Sequence, residues 1–403
     1  MLMKLQFPRN IWVLALTLAL TQGALPLMVL VSGLLSSEIA PDPSMATLPL
    51  AVLVVGTALS TIPAAWFNQQ FGRKHAGFGG IVLSLVGILL CMLAGAKASF
   101  SLLITAAGVL GVSAAFFQHF RFAAMESVGN AADIGPALAI IMLSGIVAGV
   151  LGPELVTLGA WLLPAAENYL GAFLLMALLI CAGAVVFSRF QNTVSHQAQY
   201  EEAPRPLARL LCQPVFLLSM GVSALGYAVM VFLMTSTPLS MHLLDGHSLD
   251  DAKWVIQSHL VAMFLPSIFS GWLMKRLGAA PLMLLGSALY LGVIAVALTG
   301  QHVIHYWWAL VLLGVGWNFL FLSGTSILPQ SYRNNERFKV QAANDFAVFA
   351  LQAIASLVAG WVLFTFGWQA QLWLCVPVCG ALVLLSIAAL ISPRYLRSSA
   401  HAG

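Results

Sequence analysis

Few residues of this chain could do chemistry, and nearly all of them stand inside or beside long apolar stretches. Glu154, His259 and Asp345 could take up and release a proton; Gln22, Gln118, Tyr227, Gln257, Trp317 and Asn318 could hydrogen-bond or stack against a small molecule. An ionisable group at lipid depth costs about 2.5–3.5 kcal/mol, so each needs a reason to be there. A desolvated carboxylate at Glu154 favours its protonated form and would carry a coupling proton; the plainer alternative is a carboxylate at the membrane interface. His259 shares a helical face with Met263 and Pro266, which suits either proton or substrate contact or a neutral imidazole held by one hydrogen bond. Arg121, three residues after Gln118, is a candidate snorkelling anchor, a contact for an anionic substrate group, or a partner for Glu126 or Asp133. An amide at lipid depth must find a partner, which can be another helix as readily as a ligand.

No catalytic constellation accompanies these residues. The sequence contains neither His-Glu-x-x-His nor Gly-x-Ser-x-Gly, and no phosphate-binding Gly-x-x-x-x-Gly-Lys, so an enzyme and an ATP-driven pump are both disfavoured. Cys375 and Cys379 lie one turn apart without a His or further Cys to complete a ligand set; they read as small apolar filler. No metal and no cofactor are expected. Basic residues interleaved with aromatics are missing too, which argues against nucleic acid.

The elements that must position these side chains follow from composition. Of 403 residues, 61% are hydrophobic and 7% charged, where a soluble domain carries about 25% charge. Lipid must replace the missing surface polarity. Crossing the hydrocarbon core takes about 20 apolar residues in a helix. Counting such stretches predicts twelve spans: 11–36, 47–68, 76–95, 100–121, 135–160, 167–189, 212–237, 252–274, 281–300, 304–327, 341–366 and 369–391. The first is too long for a signal-peptide core and reads as a retained span. Placing both termini in the cytoplasm puts fifteen of the seventeen Lys and Arg on one side and only Lys97 and Lys253 on the other, as the positive-inside rule demands.

A repeat divides the spans six and six. Ala65-Trp66-Phe67-Asn68-Gln69-Gln70-Phe71-Gly72 follows the second span, and Gly271-Trp272-Leu273-Met274-Lys275-Arg276-Leu277-Gly278 follows the eighth; Trp66 and Trp272 are 206 residues apart. The expected organisation is an N-terminal bundle over 1–189, a polar cytoplasmic linker over 190–211 and a C-terminal bundle over 212–403. Duplicated bundles that hold substrate between them near the midplane are a transporter architecture.

Over its whole length the sequence resembles the major facilitator superfamily. That family carries G-x-x-x-D-R-x-G-R-R/K after its second helix. Here Gly72, Arg73 and Lys74 match, whereas Ala65, Gln69 and Gln70 replace the first glycine and the charged pair. Gly145, Gly149, Gly152 and Pro153 form a partial version of the glycine ladder of family exporters, although generic helix packing also uses such glycines. The exporters' arginine in the fourth helix is missing, with Ala107 four residues before Gly111. Thr237-Pro238-Leu239-Ser240-Met241-His242, Gln257-Ser258-His259, Gly316-Trp317-Asn318 and Gln341-Ala342-Ala343-Asn344-Asp345 resemble a subgroup of bacterial inner-membrane permeases.

The resemblance implies an all-α membrane fold of two six-helix halves and transport by alternating access, with helices 1, 4, 7 and 10 lining the cavity. It also implies a gate at which Asp345 pairs with Arg73 when the cytoplasmic side is shut; stabilisation of Asp345 by the start of its helix is the alternative. Gly72, Arg73, Lys74, Arg121, Gly149, Gly152 and Pro153 complete the expected conformational set. The expected cargo is a small, neutral or amphipathic organic solute, since few fixed charges stand at the midplane. The expected drive is protons and the expected direction export. Uptake of a nutrient or vitamin and a non-transporting receptor are the alternatives. The expected setting is a monomer in a bacterial inner membrane.

Overall fold

A computed structural model describes residues 7–41, 45, 48–163, 169–192 and 203–391. Among them there is no strand, and ten helical runs are long and apolar enough to cross a membrane. Two of the ten are double. Leu48–Ala96 is broken at Gly72 (φ 78, ψ 167) and Arg337–Ile391 at Gly367 (φ 82, ψ 172). Each part is long enough to cross, so twelve spans result.

Span 1 is Arg9–Thr21 continued by Ala24–Ile39, with a break at Gln22 and Gly23. The Leu48–Ala96 run supplies spans 2 and 3. Span 4 is Phe100–Gln118, extended by the short helix Phe120–Glu126; span 5 is Ile134–Leu162 and span 6 Leu170–Phe187. Span 7, Pro214–Leu239, ends in a π-helical turn, Ser240–Leu244, just past Pro238. Span 8 is split by Pro266 into Leu249–Phe264 and Ser267–Leu277. Ala279–Leu298 and Val303–Ile327 are spans 9 and 10, and the Arg337–Ile391 run holds spans 11 and 12.

The repeat seen in the sequence is a repeat of backbone conformation. Gly278 (φ 90, ψ 175) turns the chain from span 8 to span 9 as Gly72 turns it from span 2 to span 3, and Gly367 does the same between spans 11 and 12. That region of φ/ψ space is open essentially to glycine alone, which is why glycine marks each tight reversal. At the first of them Asn192 accepts from the Lys74 backbone N–H at 2.9 Å. Trp66 and Trp272, matched in the repeat, are both more than half exposed, like Leu59, Val185 and Leu384. Large apolar groups on the outside are what lipid contact requires.

The chain forms two compact units. One is Met1–Ala131 with Ile140–Val194; the other is Ala132–Ala139 with Ser195–Gly403. In the first, the Leu48–Ala96 run packs on span 4 and on span 6, and span 6 packs on span 1. In the second, span 10 packs on spans 7, 8 and 9, and span 7 packs on the Arg337–Ile391 run. The start of span 5 lies with the second unit: a Cβ on Gly271 would meet Pro136 Cα and Ala139 Cβ at 2.8 Å, and Lys275 Nζ reaches Asp133 Oδ1 at 2.6 Å. Asp133 is thus paired with Lys275 within the second unit.

Candidate substrate site

In the second unit the side chains that could hold a small molecule form an aromatic wall. Tyr227 of span 7 meets Trp317 edge-on at 5.3 Å, Phe321 at 5.5 Å and Phe349 of span 11 at 5.9 Å. Trp317 stacks on Phe321 at 5.1 Å with an interplanar angle of 9°, and Phe264 of span 8 meets it edge-on at 5.8 Å. Trp317 and Phe321 are one turn apart on span 10, so the helix itself places their rings in register. Tyr227 and Phe264 stay half-buried while Trp317 is 3% exposed, and its Nε1–H has no acceptor. Four spans thus present flat, polarisable rings and one buried, unspent donor.

The seam between spans 8 and 10 lies beside this wall. His259 is buried, and its Nδ1–H donates to Leu310 O at 2.7 Å, which leaves Nε2 as an acceptor without a donor. Asn318 Nδ2 donates to Met263 O and to Ser267 Oγ, each at 2.7 Å. Helix 8 breaks at Leu265 and Pro266, which releases carbonyls just before the break, and the Asn318 amide answers one of them. A Cβ on Gly314 would lie 2.8 Å from Met263 N. Asn318 and His259 thus each tie span 8 to span 10. Gln257 is exposed and lines a groove between the same two spans.

Asp345 is fully buried and accepts from Asn344 Nδ2 at 3.0 Å. Its helix begins at Arg337, eight residues earlier, rather than at 341 as the sequence suggested. The dipole's reach is one turn. Stabilisation by the helix start therefore does not explain this carboxylate.

In the first unit a polar cluster sits where spans 2 and 3 meet the end of span 4. Arg73 is buried and grips Glu126 in a two-pronged pair, Nε to Oε2 at 3.1 Å and Nη2 to Oε1 at 2.5 Å. Its Nη1 lies 3.4 Å from both Asn68 Oδ1 and His119 Nδ1. The acidic partner that Gln69 fails to provide is thus supplied by Glu126 from another element. Asn68 and His119 carry no motif of their own; their signal in the sequence is placement near Gly72 and Arg121 at the ends of apolar stretches. Arg121 is 5% exposed, with its guanidinium 4.8 Å from the Phe122 ring centroid. It does not snorkel. Gln118 ends the main helix of span 4 half-buried, and Gln22 stands half-buried at the break in span 1.

The helix 5 candidates separate. Gly152 lets span 5 touch span 1: a Cβ there would meet Gly23 O and Pro26 Cβ at 2.8 Å. Nothing lies within 4 Å of a Cβ on Gly149, so that position makes no close helix contact. Pro153 falls within span 5. Glu154 is exposed, so the protein does not supply the burial expected to favour its protonated form.

Comparison with known proteins places this arrangement. The family model described as Major Facilitator Superfamily matches residues 11–249 and 239–401. The chain belongs to the major facilitator superfamily. Among superfamily relatives, the riboflavin transporter RfnT of Brucella anthropi is 37% identical over 391 residues, covering 96% of each chain. An uncharacterised MFS-type transporter of Bacillus subtilis, YddS, is 27% identical over 83% of this chain and 80% of its own. Solved superfamily folds superpose on it at 14–15% identity. FucP in its outward conformation gives a TM-score of 0.75 over 94% of this chain and 98% of that one; the human organic anion transporter MFSD10 gives 0.71 over 94% and 99%. The superfamily assignment makes this chain a membrane-embedded, multi-pass transporter, whose partners are a lipid bilayer and a small-molecule substrate.

Proposed function

We propose that this protein carries riboflavin, or a flavin-like planar heteroaromatic vitamin, into the cell by alternating access coupled to protons. The observation that carries this reading is the likeness to a riboflavin transporter along nearly the full length of both chains. The aromatic wall supports it. Tyr227, Trp317, Phe321, Phe349 and Phe264 offer stacking and edge contacts to a flat ring system, and the unspent Trp317 Nε1–H suits a ring carbonyl. A planar, uncharged cargo also fits a wall without fixed charge.

Uptake replaces export as the preferred direction because the glycine ladder is only partly used, with Gly149 facing open space. Asp345, a buried carboxylate on span 11, is the preferred proton carrier, ahead of the exposed Glu154 and of His259, whose Nδ1 is committed to Leu310.

The test is radiolabelled riboflavin flux in right-side-out and inverted vesicles under an imposed pH gradient. Accumulation in right-side-out vesicles that collapses with the gradient is expected. Riboflavin flux indistinguishable from empty vesicles would discard the substrate, and accumulation only in inverted vesicles would reverse the direction.

A further inference from the structure

Between spans 8 and 10 lies a groove of about 520 Å³ that the transport reading does not use. Its walls are apolar: Val261, Leu265 and Phe269 on span 8, and Trp307, Val311 and Val315 on span 10. The Leu265–Pro266 break bends span 8 here, and Asn318 repairs the backbone behind the break. One end of the groove differs from the rest. Gln257 and Ser258 line it there, Trp307 stacks on Trp254 at 5.4 Å with an interplanar angle of 10°, and Lys253 stands one turn before Gln257 on the same helical face.

Length and polarity together identify an occupant. From Gln257 to Phe269 the wall rises about 18 Å at 1.5 Å per residue, somewhat more than one leaflet of a hydrocarbon core about 30 Å thick. Interfacial tryptophans mark headgroup level, and a lysine beside them complements a phosphate. The Asp251 carboxylate is engaged at the start of its own helix, where Oδ2 accepts from the Ser248 hydroxyl at 2.6 Å and from the Ser248 backbone N–H at 3.3 Å; Asp250 stands exposed at the helix start. We propose that this groove is a specific phospholipid site that seats one acyl chain along Val261, Leu265 and Val311, with the phosphate at Lys253.

Native mass spectrometry of the full chain, released from mild detergent after incubation with phosphatidylglycerol, tests this. The expected result is one retained lipid per transporter, reduced at least tenfold by Val311→Trp, which fills the groove. Lys253→Gln should weaken retention about fivefold, the worth of one basic residue near a lipid surface, while leaving the groove open. Melting temperature in detergent identifies any variant that fails to fold, and Val261→Trp then takes the place of Val311→Trp. Equal lipid retention by wild type and a folded groove-filled variant would overturn the proposal. So would a dimer that Val311→Trp dissociates, or displacement of the lipid by riboflavin, since either gives the groove to a different occupant.

Discussion

Trp317 combines two roles that substitution can separate. Trp317→Phe keeps the stacked ring and removes the Nε1–H donor; losing one hydrogen bond of about 1.4 kcal/mol predicts a KM for riboflavin roughly tenfold higher with little change in melting temperature. Tyr227→Ala removes the ring that touches Trp317, Phe321 and Phe349, and should raise KM further. If Trp317→Phe transports riboflavin with unchanged KM, the donor plays no part in recognition. Asn318 behaves oppositely. Its amide serves the Met263 carbonyl, so Asn318→Ala should cost about 1–3 kcal/mol of stability, read as a lower melting temperature in detergent, before it affects substrate affinity.

Between elements, Glu336, in the loop joining spans 10 and 11, is a heavily bonded carboxylate. Arg205 donates to it through Nε at 2.8 Å, Nη2 at 2.6 Å and its backbone N–H at 2.9 Å, and the Arg333 N–H adds a bond at 2.9 Å. The Arg205 side chain foremost, then these backbone donors, hold the carboxyl down at about 2, against an ordinary value of 4.5, despite an opposing effect of burial. The folded value is the lower one. The stabilisation is therefore complete above about pH 4.5 and is lost as pH falls toward about 2. Melting curves in detergent between pH 3 and 6 should show the wild type losing stability on acidification, with Glu336→Gln less stable at pH 6 and flatter below it. Equal slopes for the two would sever this link between the segment before span 7 and the loop. The turns make a second element-scale case. Gly72→Ala forces an L side chain to φ 78, ψ 167, and should cost about 1–3 kcal/mol even though a Cβ there meets nothing closer than 3.5 Å. Conformation, not space, is what the glycine provides.

For the whole molecule, the distribution of basic residues predicts topology. Single cysteines at Lys97 and Lys253 should react with an impermeant maleimide from outside intact cells, and one at Arg333 only after permeabilisation. The five native cysteines would first be replaced; Cys91, Cys375 and Cys379 are buried, and Cys181 and Cys212 are exposed. Labelling of Arg333 and Lys97 positions from the same side would overturn the twelve-span assignment.

The all-helical membrane class, the twelve spans and the repeat are legible in the sequence. Each of these follows from local quantities: 7% charge, runs of about 20 apolar residues, and glycines at turns only glycine can make. It also named Tyr227 and Trp317, because an aromatic inside a span is conspicuous one residue at a time. Tertiary structure decided which residues meet. Phe264, Phe321 and Phe349 look like ordinary apolar filler until spans 7, 8, 10 and 11 bring them around Tyr227 and Trp317. Arg73 found Glu126, 53 residues away, and Asp133 found Lys275, 142 residues away. That Glu154 is exposed and Arg121 buried is likewise a matter of packing, since the sequence leaves both settings open for each. Hydropathy fixes how deep a residue sits along its helix, because depth depends on its own neighbours in the chain. Which way it faces, and what it meets there, depends on helix rotation and packing, which are settled by side chains far apart in sequence.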